Sequence, residues 1–451
     1  MAKERERFGS SITAVMAMAG SAIGLGNIWR LPYMVGQNGG AAFILVYIVC
    51  AFFLAVPILL SESIIGRSTQ SNTFGAMEKL APGTKWKWLG FLTVISPLII
   101  LSYYSVVGGW SIGYFLQSVF TGFRGDVSEH FVSFTSSAWT PLIFHTVFLA
   151  ATALIVLGGV KSGIELFNKV SLPLLFVLIV VVAVYSLTLP GSSEGVRYMV
   201  DPDWSGISPK TVAYALGQAF FSLSLGVGTI LTYSSYMKKE SSILASGAGT
   251  AAFDMIFALI AGFAVMPAVF AAGIEPGAGP GLIFESIPFI FEKMGADAPL
   301  LSRIISILFF LTIVIAALTS SISMFEVGVA YLVEEKDMSR KSSVVLIFAI
   351  TWILGALCSL SFGVLSGVKI AGLTIFSFCD ALTSNFMMTF GALLFVIFVG
   401  WKMKKAAVRA EITNNGSLKF SGKAFGFVYF LIRYVSPLAI LAIFLTNLFT
   451  L

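Results

Sequence analysis

The chain is poor in charge. Only 11% of its 451 residues are Asp, Glu, Lys or Arg, against about 25% in ordinary soluble domains. A chain of soluble domains is therefore excluded. Cysteine and histidine are also scarce, at three and two residues. Cys50, Cys358 and Cys379 all fall in apolar stretches and read as small apolar side chains, with no pair in a loop to form a disulfide framework. His130 and His145 lie in or near a stretch read as an outer loop and are expected to be solvated or interfacial. No nucleophile–base arrangement or metal–thiolate spacing appears, which argues against an enzyme. The net charge of +6 is scattered through loops without forming a patch, so it points to no nucleic acid.

What is present is apolar: 57% of the residues are hydrophobic. A run of about 20 such residues crosses a ~30 Å hydrocarbon core. Eleven segments qualify, near 10–37, 41–66, 88–121, 141–158, 166–189, 211–236, 242–272, 299–333, 343–363, 371–402 and 425–449. The reading is an all-α polytopic protein seated in a lipid bilayer. The charged start, MAKERERFGS, runs into a long apolar segment with no early small-residue cleavage site, so an uncleaved first helix is expected. With the N-terminus inside, 20 Lys and Arg fall on the inner side and 6 on the outer. The positive-inside rule then makes the N-terminus cytoplasmic, in the cell inner (plasma) membrane. An odd number of spans puts the C-terminus outside.

Residues 20–33, GSAIGLGNIWRLPY, place three glycines, an asparagine and an arginine inside an apolar segment. Helix-weakening residues at membrane depth are tolerated where the unwound backbone is buried in protein or lines a cavity. A break near 22–26 exposes amides that attract an anion and carbonyls that attract a cation. Segment six contains GVGTI (226–230), comparable with GLGNI (24–28) five segments earlier. An odd offset would make the second copy inverted. Glycine-interrupted segments in matching positions of two halves point to a transporter binding site, although close helix packing also selects glycine pairs. A small zwitterion suits the two sets of freed backbone groups.

AMAGSAIGLGNIWRLPY, NGGAAF, GQAFFSLSLGVGTILTYSSY and LTSSIS together resemble the neurotransmitter:sodium symporter family, bacterial branch, over essentially the whole chain. The resemblance implies a leucine-transporter-like fold of 11 transmembrane helices in a single domain, 1–451. It comprises inverted five-helix repeats at 10–189 and 211–402, broken helices one and six, and an extra helix at 425–449. It implies sodium-coupled secondary active symport of a neutral, hydrophobic L-amino acid. The mechanism would be alternating access of a bundle (segments 1, 2, 6, 7) against a scaffold (3, 4, 5, 8, 9).

By resemblance, the Leu25 and Gly26 amides hold the substrate carboxylate, and the Ala22, Phe221 and Ser224 carbonyls hold its ammonium. Gly24 leaves room for that carboxylate where monoamine-carrying relatives place an aspartate. Ile100, Tyr104, Phe221, Ser222, Ser224, Val227, Ser320 and Met324 form the rest of the pocket, with Tyr104 and Phe221 as its lid. A first sodium site is implied at Ala22, Asn27, Ser222 and a segment-seven residue, here Asp254. A second is implied at Gly20, Ile23, Ala316, Thr319 and Ser320. Asp254 departs from the family's common asparagine, and Ala258 removes a hydroxyl that helps chloride-dependent relatives bind chloride. Asp254 is therefore expected to replace chloride. Left without a cation in low dielectric it would take up a proton, which allows proton counter-transport.

Arg30 and Asp380 are implied as an outer gate bridged by water, with Arg5, Glu334 and Tyr236 as the inner gate. The family's bacterial members can unwind the start of segment five, where Gly163 precedes Pro173; a plain helix start is the alternative. A proton-coupled relative would carry a lysine on segment five near the second site, whereas Lys169, its only lysine, is at the cytoplasmic end. Proton coupling and a non-transporting amino-acid sensor remain as rivals, although a sensor would be expected to carry a large soluble extension.

Overall fold

The computed structural model describes residues 6–273 and 282–449. Arg5, half of the expected inner gate, lies outside them. Among the described residues, nine apolar segments form helices long enough to span a membrane: Ala41–Thr69, Lys87–Phe120, Thr140–Leu157, Val160–Leu187, Ile243–Ala271, Pro299–Glu335, Arg340–Leu360, Ile375–Lys402 and Gly422–Leu445. The other two segments are broken. Segment one is a pair of helices, Ser11–Ala22 and Gly26–Gln37, bent by 52°. Segment six is the pair Pro209–Ser222 and Thr229–Ser235.

Both broken segments start in the same way. Ser10 and Thr13 form a reciprocal side-chain-to-backbone cap on segment one, and Ser208 and Thr211 repeat it on segment six. The same S-x-x-T signature thus opens both broken segments. Among the described residues, the helices Lys87–Phe120 and Pro299–Glu335 make the most extensive contact, and Pro299–Glu335 also packs on both broken segments.

Two expectations need correction. Segment ten starts at Ile375 rather than 371. The preceding residues form a two-stranded hairpin, Lys369–Ile370 with Leu373–Thr374, whose turn residues Ala371 and Gly372 both have positive φ. Thr374 then caps the helix through the Ser377 amide. His145 is fully buried. It sits on the inward face of Thr140–Leu157, and two glycines let it pack there: a Cβ on Gly109 would lie 2.5 Å from the His145 backbone nitrogen, and one on Gly355 2.5 Å from the His145 ring. Segment five is wound throughout, a wide turn at Val160–Glu165 leading into Leu166–Leu187 across Pro173. Gly163 has a packing reason, because a Cβ there would lie 2.0 Å from the Ile155 carbonyl oxygen.

Candidate functional site

The first helix stops at Ala22 because Ile23 turns extended, and it restarts at Gly26. Segment six stops at Ser222. Ser224, Gly226 and Gly228 then take φ of 52°, 79° and 75° before helix resumes at Thr229. Left-handed backbone favours glycine, and Gly226 is also sterically required. A Cβ there would lie 2.0 Å from the Met388 carbonyl oxygen, and its amide donates to the buried Glu62 carboxylate at 2.7 Å. The two breaks are tied together by one carbonyl: Ser21 O accepts from Ser224 Oγ and from Ser320 Oγ, each at 3.1 Å.

Between the breaks lies a cavity of about 40 Å³. Ala22, Gly24, Leu25, Gly26, Ile100, Tyr104, Phe221, Ser222, Ser224, Val227, Ser320 and Met324 all line it, joined by Met388, which sequence reasoning missed. The lining is mostly apolar, with backbone polar groups and a few hydroxyls at one end. The Leu25 amide donates to the Tyr104 hydroxyl at 3.2 Å, so Tyr104 contributes a polar tip as well as a ring. Gly24 is tightly enclosed: a Cβ would lie 2.4 Å from Ser320 Oγ and 3.0 Å from Tyr104 OH.

A buried oxygen-rich cluster adjoins this cavity. Ser222 Oγ is 2.8 Å from both Asp254 carboxylate oxygens, and Asn27 Nδ2 donates to Asp254 Oδ1 at 2.7 Å. Tyr47 OH approaches the other carboxylate oxygen at 3.5 Å. Asn27 Oδ1 accepts from the Gly24 amide at 3.0 Å, which links the cluster to the break. Carboxylate, amide and hydroxyl oxygens with one net negative charge fit a hard monovalent cation. Among the described residues no group of three or more His, Cys, Asp or Glu could hold a metal ion.

A second cluster brings together the segment-eight hydroxyls and the end of the first helix. Thr319 Oγ1 donates to Ala316 O at 2.8 Å and Ile23 O at 3.1 Å, and Ser320 Oγ reaches Ile23 O at 3.4 Å. Gly20 packs here against segment five: a Cβ would lie 1.9 Å from Asn168 Oδ1. That oxygen is buried and has no hydrogen-bond partner. The neutral, all-oxygen donor set again fits a hard cation better than a proton carrier. Lys169 is exposed, while its neighbour Asn168 faces the site.

Outward of the small cavity is a vestibule of about 320 Å³, with Leu25, Tyr104 and Phe221 shared between the two. Arg30 and Asp380 both line it. The Arg30 guanidinium lies 4.5 Å above the Phe221 ring, and Asp380 accepts from Ser384 at 2.9 Å. Among the described residues no direct ion pair joins Arg30 to Asp380.

The inner side is tightly tied. The Phe8 amide donates to Tyr236 O at 3.0 Å, Gly9 N to Glu165 at 2.8 Å, and Val160 N to Glu6. The Tyr236 hydroxyl donates at 2.7 Å to Glu326, which is fully buried and paired with Arg340 at 2.6 Å. Sequence reasoning missed both members of this pair. Glu334 accepts from the Asn72 amide at 2.8 Å and from its side chain at 3.1 Å, and so supports the N-cap of Thr73–Leu80.

Comparison with known proteins decides the class. The profile of the sodium:neurotransmitter symporter family matches residues 5–131 and 126–451. The chain belongs to this family. The uncharacterized sodium-dependent transporter YhdH of Bacillus subtilis is 39% identical over 448 residues, covering 97% of each chain. An uncharacterized sodium-dependent transporter of Haemophilus influenzae is 34% identical over 462 residues, covering 99% of each. The crystal structure of MhsT in complex with L-phenylalanine superposes with a TM-score of 0.90 at 40% identity, covering 98% of this chain and 100% of that one. This family member is thus a multi-pass, sodium-dependent symporter rather than an enzyme, with the leucine-transporter fold.

Proposed function

We propose that this symporter imports a neutral, hydrophobic L-amino acid with two sodium ions, independently of chloride. The carrying observation is the cavity between the two helix breaks. Its lining includes Ala22, Leu25, Gly26, Phe221 and Ser224 at the two breaks, and we assign the Leu25 and Gly26 amides to the carboxylate and the Ala22, Phe221 and Ser224 carbonyls to the ammonium. Gly24 supports a cargo with its own carboxylate. The solved relative's complex with L-phenylalanine supports an amino acid of this kind.

The first sodium is assigned to Ala22, Asn27, Ser222, Asp254 and the cargo carboxylate. Direct contact between ion and cargo would make each raise the other's affinity by the same factor. The second is assigned to Gly20, Ile23, Ala316, Thr319 and Ser320. Asp254 supplies the negative charge that chloride provides elsewhere and carries a proton back on the return step. The lid is Tyr104 with Phe221, the outer gate is Arg30 with Asp380, and the inner gate includes Tyr236, with Arg5 and Glu334 as its implied pair. The membrane orientation is N-terminus cytoplasmic and C-terminus outside, from the distribution of Lys and Arg.

The test is uptake into proteoliposomes of a labelled hydrophobic amino-acid panel, with an inward sodium gradient or with choline at a fixed pH gradient. Sodium-dependent uptake of one or more members is expected. Uptake that ignores sodium and follows the proton gradient would transfer the assignment to proton coupling, a reading that the exposed position of Lys169 disfavours.

A further inference from the structure

Segment ten ends at Lys402, and the chain returns through the short helix Lys405–Ile412 before entering segment eleven at Gly422. The returning helices meet along a seam where three cations lie over aromatic rings. Arg409 is 5.7 Å from the Phe425 centroid, Lys405 is 5.3 Å from Tyr429 and Arg433 is 4.5 Å from Trp401. Positions 405 and 409, like 425, 429 and 433, are four residues apart, so each set shares a helix face.

No acid balances this row. Glu411 is the only acidic residue between 402 and 435, and it is engaged by Arg67 at 2.8 Å. Among the described residues, none of the three cations forms an ion pair, and the Arg433 Nε is buried without an acceptor. Aromatic rings attract cations but leave the net positive charge in place.

The depth of the seam is fixed by two hydrogen bonds to the end of segment ten. Tyr429 OH donates to Gly400 O at 3.0 Å, and Trp401 Nε1 donates to Arg433 O at 2.9 Å. Residues 429–433 are therefore level with the last turn before Lys402, where the apolar span gives way to a basic stretch. Trp401, Phe430 and Tyr434 are exposed around it. Exposed aromatics at a span's end mark the headgroup level of a bilayer, and basic pockets between helices on the cytoplasmic side recruit anionic headgroups.

We infer that this seam binds the phosphate headgroup of an anionic phospholipid of the inner leaflet. The inference uses the membrane orientation proposed above and is independent of which cargo is carried. The bound lipid would bear on the moving parts: Arg67 of segment two also binds Asn414 at 3.0 Å, and Asn414 donates to Glu240 O, just beyond segment six, at 2.8 Å.

The test counts lipids retained by the purified full-length chain after release from mixed phosphatidylglycerol and phosphatidylcholine nanodiscs, using native mass spectrometry. Wild type is expected to keep one phosphatidylglycerol in preference to phosphatidylcholine of the same acyl chains. The double variant Lys405→Gln with Arg409→Gln should lower that preference by about fivefold for each cation removed. Both side chains are exposed, so the fold is expected to survive. Lys336→Gln with Lys341→Gln, exposed cations of the loop between segments eight and nine, should retain the wild-type preference. Equal retention of the two lipids by wild type, or an equal loss in both double variants, would overturn the inference. Because the readout is lipid binding, a failed uptake assay leaves it separately testable.

Discussion

The hydroxyl of Ser222 lies 2.8 Å from each oxygen of the Asp254 carboxylate. Ser222 is the last helical residue before the break in segment six, so this contact couples a buried charge on segment seven to the backbone that frames the cavity. A monovalent cation between these groups and the cargo carboxylate would be shared by two carboxylates and offset one of their two negative charges. Without it, Asp254 leaves a charge in a medium that disfavours charge.

Replacing Asp254 with asparagine separates these roles. Hydrogen bonds to charged groups contribute about 1.5–3 kcal/mol, so Asp254→Asn is expected to weaken sodium activation by roughly 10–100-fold. In wild type, exchanging chloride for gluconate should leave uptake unchanged. The return step should quicken as the internal compartment is acidified, because a protonated Asp254 crosses without an uncompensated charge, and slow as it is made alkaline. Asp254→Asn should lose this response. Uptake abolished by gluconate would remove the chloride part of the reading, and equal pH sensitivity in both proteins would remove the proton part.

Gly24 provides a steric test. A Cβ at this position would lie 2.4 Å from Ser320 Oγ and 3.0 Å from Tyr104 OH. Gly24→Ala is expected to push both hydroxyls away from the helix break and to lower cargo affinity by at least about tenfold, a loss of ~1.4 kcal/mol. Equilibrium binding of the preferred amino acid in saturating sodium measures this directly. Near-wild-type affinity would show that the tight packing around Gly24 is not part of the cargo site.

The breaks were legible because glycine interrupts otherwise apolar segments, and their placement within a few residues followed from GLGN and GVGT. The residues lining the cavity came from resemblance, and the structure does bring them together. The Met388 wall was not legible, since an apolar residue in an apolar segment carries no mark of the face it presents. Nor was the Glu326–Arg340 pair: the arginine begins segment nine and the glutamate lies 14 residues earlier within segment eight. Only the turn between the two helices brings them together. His145 was misplaced for a related reason. Its proximity to an outer loop in sequence gave no sign that Gly109 admits the backbone of its helix and Gly355 clears a buried space for its ring.

Val227 offers a test of cargo size. It is buried in the cavity wall with Met324 and Met388. Enlarging a well-packed position costs typically 1–3 kcal/mol. Val227→Phe should therefore exclude bulky cargo preferentially, shifting competition profiles toward small amino acids while sodium activation persists. A uniform loss across the whole panel would indicate general misfolding or that Val227 does not face the cargo.

The inner side gives the last prediction. Glu326 is fully buried and receives both the Arg340 guanidinium at 2.6 Å and the Tyr236 hydroxyl at 2.7 Å. Tyr236 in turn accepts the Phe8 amide through its carbonyl, so the carboxylate anchors the N-terminal strap, which in the proposed orientation closes the inner side. Removing one partner of a buried ion pair costs about 3–5 kcal/mol because the other charge is stranded. Glu326→Gln should relieve that cost by opening the inner side and letting water reach Arg340. Expected results are weaker cargo binding and faster labelling of a cysteine introduced at Ala17, a buried position on the first helix. Tyr236→Phe removes a single hydrogen bond and should shift labelling in the same direction by a smaller amount, about 1.5–3 kcal/mol in closure. If both variants label at the wild-type rate, the Glu326 cluster holds helices together without governing closure.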